Sequence, residues 1–326
     1  MKGKYHIIVQ NGWVRFEFDI KRNITIIRGD SATGKTTLVS MIDIHDRLGE
    51  DSGVDVICDK RCITVNNSNW ESILDNTKDS IVFIDEENTV VKTKEFARKI
   101  QGSNNYYVII TRENLPNLPY SVEEVYGIHT SGKYSNMRQT YNSFYHLYSF
   151  DDNDASDANI VVTEDSNAGH DFFSNIVNDS IRCISAGGKS NIHKLLIDNK
   201  GEHILVIADE AAFGSEMGEI YPYIQKHKEV KLYLPESFEW IILASGLIDG
   251  NKIADILEHS EDFIESSEYF SWEQFYTRLL VQETEGTYLH YSKSKLNCVY
   301  LNKKERAAII NVIKIIDKII EHKETE

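Results

Sequence analysis

"NITIIRGDSATGKTT", residues 23–37, is the stretch whose reading decides the first half of the chain. It opens as a short β-branched apolar run, passes through a segment bounded by Gly29 and Gly34, and continues with helical spacing from Lys35 to about Leu48. Gly29 to Thr36 fits G-x-x-x-x-G-K-[ST] without gaps, in the strand–loop–helix context that this spacing requires. The two glycines let the backbone wrap closely enough for successive N–H groups to point inward, and the helix N-terminus adds a dipole that favours an anion. Phosphate is the natural partner of such a loop. Gly29, Asp30, Ser31, Ala32, Thr33, Gly34, Lys35, Thr36 and Thr37 would form the cradle, with Lys35 reaching the β- and γ-phosphates and the Thr36 hydroxyl ligating Mg²⁺.

The flanking sequence supplies the rest of a parallel α/β sheet. "YHIIVQ" and "VRFEFDI" surround "NGW", a predicted hairpin turn, while "SIVFID" (80–85) and "YYVIIT" (106–111) read as buried strands separated by a helical segment. Asp85 ends one of these strands where it can hold the Mg²⁺ shell, and Glu86 follows where it can orient or deprotonate a water. Thr111 and Arg112 end the other.

These motifs resemble the P-loop NTPase superfamily, and the wording of the loop is similar to ABC-like and AAA-like ATPases. The resemblance implies ATP and Mg²⁺ as cofactors, Lys35 and Glu86 as catalytic groups, Thr111 as a polar γ-phosphate sensor and Arg112 as a charge stabiliser. A plain salt-bridging arginine at 112 is the alternative. Only about forty residues separate the two motifs, and neither an LSGGQ-like nor an N-K-x-D segment is present. Those departures argue against a transporter-type ATP sandwich and against guanine specificity. The Asp85–Glu86 pair favours hydrolysis over transfer to a bound hydroxyl.

The 326 residues, 41% of them hydrophobic, are enough for two cores. Residues 1–150 carry 18 Lys and Arg against 19 Asp and Glu, whereas residues 151–326 carry 17 against 32. The acidity of the second half works against nucleic acid unless a local basic groove or bound cation overrides it. The four cysteines are too few and too irregularly spaced for a disulfide framework, and "CDKRC" (58–62) has no second ligand pair to make a zinc site. With no leader-like start and no long apolar run, a cytoplasmic protein without a membrane span is expected.

The four-aspartate stretch "FDDNDASDA" (150–158) marks the expected linker. The domains then run 1–150, 151–250, and 251–326 as a mainly helical extension that includes "NCVYLN" as a late strand and a last helix from about Lys303 to His322. The isoleucine stripe on that helix fits either core packing or a homo-oligomer contact. Between 159 and 214 three strands deliver Glu164 and Asp165, a Gly-Gly-Lys-Ser loop (187–190), and Asp209 and Glu210 to one sheet edge. Carboxylates gathered in this way need a cation or a proton.

That order resembles TOPRIM domains, particularly those of OLD-family nucleases and of phage-defence systems that combine an ATPase with a TOPRIM nuclease. The resemblance covers about 159–246. It implies Glu164 as the acid/base residue and a metal ligand, Asp209 as the principal Mg²⁺ ligand, and Glu236 and Glu239 as candidates for a second metal. Asp165 and Ala211 depart from the family's glycine and second aspartate, and Glu210, on the opposite strand face, is a poor substitute. Lys189 could meet a phosphate or neutralise Glu164, and His170 and His193 lie near the motifs. The expected fold is thus two α/β domains, a P-loop NTPase sheet and a TOPRIM-like parallel sheet. Two functions stay open: a metal-dependent nuclease or nucleic-acid-processing ATPase, or an ATP-driven switch whose second half binds a protein.

Overall fold

A computed structural model of the chain describes residues 1–29, 34–130, 139–150, 157–248 and 250–313, together with 315 and 319. Most of the expected linker, Asp30–Thr33 of the glycine loop and most of the last helix's second half lie outside the described residues. The chain divides into two compact units, residues 1–149 with 259–271, and residues 150–258 with 272–326.

The first unit is built on one nine-stranded sheet. Its elements are β1 (Tyr5–Gln10), β2 (Val14–Ile20), β3 (Ile24–Arg28), α1 (Lys35–Leu48), β4 (Asp55–Ile57), β5 (Arg61–Val65), α2 (Trp70–Asn76), β6 (Ser80–Ile84), α3 (Lys94–Ile100), β7 (Tyr106–Ile110), β8 (Val125–Thr130) and β9 (Thr140–His146). The spatial order is β4-β1-β2-β9-β8-β3-β7-β6-β5. The five strands from β8 to β5 are mutually parallel, as the apolar, β-branched runs require once both faces are covered. The other side is mixed, and the expected hairpin lies there. There β1 and β2 form an antiparallel hairpin, β8 and β9 are antiparallel, and only β2–β9 is parallel. The hairpin turns at "NGW" because the Asn11 carboxamide oxygen accepts the N–H groups of Trp13 and Val14 at 2.8 and 2.9 Å.

Every residue of β3, β6 and β7 is buried, and alternate side chains feed two cores. Ile27, Phe83 and Val108 join Leu38, Met41 and Ile42 of α1 on one face; Ile26, Ile84 and Ile109 join Phe96, Ala97 and Ile100 of α3 on the other. The sheet is also rolled. Its outermost strands, β4 and β5, are linked by only residues 58–60, which reach about 14 Å at most. A flat nine-stranded sheet would separate them by roughly 38 Å. The rolled side holds α1, which packs on β1, β4, β5 and β6.

Residues 259–271 correct the expected boundaries, since they belong to the first unit rather than to an extension of the second. Their backbone groups find partners there. Glu261 O accepts Gly3 N–H at 2.7 Å, Ser266 N–H donates to Met1 O at 2.9 Å, and the Asn23 carboxamide donates to Tyr269 O at 2.8 Å.

The second unit holds β10 (Ile160–Thr163), α4 (Ala168–Ile176), β11 (Arg182–Ser185), α5 (Ile192–Asp198), β12 (Ile204–Ile207), α6 (Met217–Lys226), β13 (Val230–Tyr233) and α7 (Phe238–Ala244). Its four strands are all parallel, in the order β11-β10-β12-β13. Right-handed crossovers put α4 on one face and α5 and α6 on the other. Accordingly Phe172 and Phe173 of α4 meet Phe238 of α7, while Tyr223 of α6 donates to Leu196 O of α5. "NCVYLN" is not a strand: Cys298–Leu301 is a 3₁₀ turn, capped by the Asn297 side chain accepting Val299 N–H at 3.1 Å. The helix that follows spans Lys303–Ile310. Among the described residues no helix is long and apolar enough to cross a membrane.

Candidate functional site

In the first unit the parallel register sets three strand ends side by side. Ile27 pairs with Ile110, and Ile84 with Ile109, so Gly29 after β3, Thr111 and Arg112 after β7, and Asp85 and Glu86 after β6 share one edge. β7 lies between the strand that leads into the glycine loop and the strand that ends in the acids. Gly34 sits at φ +84°, a left-handed conformation that suits glycine, and an added Cβ would lie 3.2 Å from the Phe16 ring. Gly34→Ala should therefore cost about 1–2 kcal/mol, read as a fall in melting temperature. A variant as stable as the parent would contradict this account of the turn.

Lys35 is buried and donates from Nζ to Gly29 O at 2.7 Å. Thr36 and Thr37 are exposed, and Asp30, Ser31, Ala32 and Thr33 lie outside the described residues. Asp85 accepts Glu86 N–H at 2.8 Å. Glu86 pairs with Arg112 at 2.8 Å, so the salt-bridging reading of Arg112 describes the arrangement present. Thr111 is buried, with its hydroxyl accepting Glu113 N–H at 3.0 Å, a contact that shapes the turn after β7.

In the second unit β10 leads by α4 to β11 on one side, and the chain then crosses by α5 to β12 on the other. The C-terminal ends of β10 and β12 therefore flank the point where strand order reverses, the place where open α/β sheets form a crevice. Glu164 and Asp209 stand on either side of it. Asp209 N–H donates to the Glu164 carboxylate at 3.1 Å, while Glu164 N–H bonds Ile207 O and Gly188 N–H bonds Glu164 O. Asp165 accepts from Asn167 N–H at 3.1 Å and so shapes the entry to α4.

A cavity of about 40 Å³ opens here, lined by Glu164, Asp209, His170, Glu239, Tyr291 and Lys293 among others. It has room for roughly three waters or a partly hydrated ion, not for a nucleobase. Glu239 is almost fully buried and accepts the Tyr291 hydroxyl at 2.8 Å. Lys293 pairs with Glu273. Burial, followed by repulsion from Glu273, Glu164 and Glu239, pushes Asp209 well above the usual aspartate range, against the pull of Lys293. Burial likewise raises Glu164 to about 7; Asp209 N–H and Lys189 oppose the shift, while Glu273 and Asp165 add to it. Burial works to lower Lys293, but Glu239, Glu273 and Asp209 together hold it above its ordinary value.

Several sequence candidates do not join this cluster. Lys189 is turned away, donating to Ala212 O at 2.5 Å and to Ser215 Oγ at 3.3 Å, and so ties the glycine loop after β11 to the turn after Asp209. Glu210 is buried and its N–H donates to Pro235 O, and neither it nor Glu236 lines the cavity. His193 pairs with Glu219, whereas His170 lines the cavity with Nδ1 2.8 Å from Thr163 Oγ1. Glu273, Tyr291 and Lys293 were missed because no periodic pattern marks them. Tertiary bonds place Lys293, whose carbonyl accepts Ala168 N–H at 3.0 Å, and Leu296 N–H is held by Asp171 at 3.2 Å.

Among the described residues no three His, Cys, Asp or Glu side chains converge as a ready-made metal cage. Mg²⁺ does not require one, since it keeps several waters and is commonly held by one or two carboxylates. With Glu239 engaged by Tyr291 and Glu273 by Lys293, Glu164 and Asp209 at the small cavity are the acids that could meet a hydrated divalent cation. Compared with protein-family models and with curated proteins, the chain gives no match.

Proposed function

We propose that this chain is an ATP hydrolase whose second unit is a divalent-cation-dependent module that processes nucleic acid, of the kind found in phage defence or mobile-element maintenance. The observation that carries the reading is the juxtaposition of Glu164 and Asp209 at the strand-order switch, joined by a 3.1 Å hydrogen bond and raised in pKa by burial first and by neighbouring carboxylates second. The shared edge of Gly29, Lys35, Asp85, Glu86 and Thr111 supports ATP hydrolysis in the first unit. Lys35 would release Gly29 O to meet phosphate, Thr36 and Asp85 would hold the Mg²⁺ shell, and Glu86, once freed from Arg112, would accept a proton from water.

In the second unit Asp209 and Glu164 would hold Mg²⁺ or Mn²⁺. Such an ion, when bound, polarises a phosphoryl oxygen and acidifies a water ligand. Without the ion, burial raises Glu164 to about 7, so it exchanges a proton near neutral pH that a bound cation would displace. Lys293, once released from Glu273, would supply the positive charge that an incoming phosphodiester needs in this acidic surround. Lys293→Met is expected to lower cleavage by at least about 100-fold with ATP turnover unchanged; an unaltered cleavage rate would remove Lys293 from the site.

The direct test is incubation of the protein with Mg²⁺ or Mn²⁺ and single- and double-stranded DNA and RNA, beside Glu164→Ala. Cleavage by the parent alone supports the proposal. No cleavage in any condition, with ATP turnover intact, supports the second reading: an ATP-driven switch whose second half docks a protein. The specific observation favouring that alternative is charge, because 17 Lys and Arg against 32 Asp and Glu in residues 151–326 repel a polyanion.

A further inference from the structure

Cys58 and Cys62 flank the corner where the rolled sheet of the first unit brings its two edges together. Cys58 directly follows β4, and Cys62 is the second residue of β5. Both sulfurs are held by one residue between them. Lys60 N–H donates to Cys58 Sγ at 3.5 Å, and the Cys62 thiol reaches Lys60 O at 3.7 Å. Cys62 is buried in the core around α1, and Cys58, half-buried, packs against the same core. Lys60 thus draws both sulfurs onto its own backbone. Interaction with the Cys62 thiol, ahead of the opposing effect of burial, draws Cys58 down to about 7, while interaction with Cys58 and burial push Cys62 up. One sulfur is thus accessible and rich in thiolate; the other is protonated, sheltered and adjacent.

We propose that Cys58 and Cys62 form a reversible dithiol–disulfide site that hydroperoxides oxidise. The Cys58 thiolate attacks the peroxide O–O bond, giving Cys58 sulfenic acid and, after protonation, water or an alcohol. The Cys62 sulfur then displaces hydroxide from the sulfenic sulfur; the thiol proton leaves with it as water. One S–S bond forms, the two thiols lose two electrons, and the peroxide gains them. The sulfurs must close to about 2 Å across the three residues, 59–61, that separate the two cysteines.

The bond would staple β4 to β5 beside the C-terminal half of α1. That half is already gripped there: His45 Nδ1 lies 2.7 Å from Val54 O, Arg61 pairs with Asp46 at 2.8 Å, and Thr64 donates to Asp43 at 3.1 Å. The site needs neither the ATPase nor the nuclease assignment.

Trypsin cuts after Lys60 and after Arg61, so a disulfide leaves the peptides 48–60 and 62–78 joined. Full-length protein treated with limiting hydrogen peroxide should yield this joined species several-fold faster than Cys183 or Cys298 is modified, and dithiothreitol should restore both thiols. Cys62→Ala should stop at a dimedone-reactive sulfenic acid on Cys58, and Cys58→Ser should give neither product. Parallel oxidation in urea should lose the preference for Cys58. The proposal is overturned if the wild-type joined species does not form, if it forms no faster folded than in urea, or if Cys58 passes to sulfinic acid while Cys62 stays free.

Discussion

Lys35→Ala should abolish ATP turnover, with a fall of at least about 100-fold, and should remove the rise in melting temperature that ATP gives the parent. At 100 times its dissociation constant a ligand adds about 2.7 kcal/mol to stability, enough to read as several degrees. Glu86→Gln should separate the two observables, losing turnover by a similar factor while keeping the ATP-dependent rise. The geometry dictates the split. Lys35 belongs to the loop that would grip phosphate and bonds its first carbonyl, whereas Glu86 lies two strands away, paired with Arg112. If both variants hydrolyse ATP at the parent rate, the first site is misassigned.

Asp209→Asn should eliminate cation-dependent cleavage and, in metal-free buffer at pH 8, make the protein more stable. The folded state raises Glu164 to about 7 and raises Asp209 as well, so above their ordinary carboxylate values it binds protons that the unfolded chain releases. Stability from these groups is therefore full below the ordinary values and declines as pH rises, the Glu164 share being lost as pH passes about 7. Removing one acid of this mutually repelling pair should return about 1 kcal/mol or more, roughly 2–4 °C, at pH 8, with a smaller difference at pH 6. A divalent cation competes with the same protons. Mn²⁺ should accordingly raise the parent's melting temperature more at pH 8 than at pH 6 and leave Asp209→Asn unmoved. An equal Mn²⁺ effect in the variant would mean that the ion binds elsewhere.

Much of this arrangement was legible in the sequence for one reason. In a parallel sheet every strand ends on the same edge, so a polar residue that terminates an apolar run has a knowable address. That logic located Gly29, Asp85, Thr111, Glu164 and Asp209 and matched α1 to Lys35–Leu48. It failed where backbone and side-chain bonds, not periodicity, set position. Tyr291 and Lys293 reach the cavity from irregular chain, and Glu273, which pairs with Lys293, comes from a helix whose pattern marks only its buried face. Lys189 had the spacing of a phosphate contact, yet the nearby Ala212 carbonyl takes its ammonium. The mixed strand directions were hidden too, because the alternation of β2 and β9 does not reveal that residues 14–17 pair with 140–143.

The return of residues 259–271 to the first unit bears on how the protein is made. Ser266 must emerge before it can close on Met1 O, long after β9 has left the ribosome. At about 5–20 residues per second the nascent first unit waits roughly 6–24 s for its final strap while the second unit is being synthesised. Its loop and acids are translated early, but the surface beneath the strap stays bare through that interval, when a chaperone has most to cover.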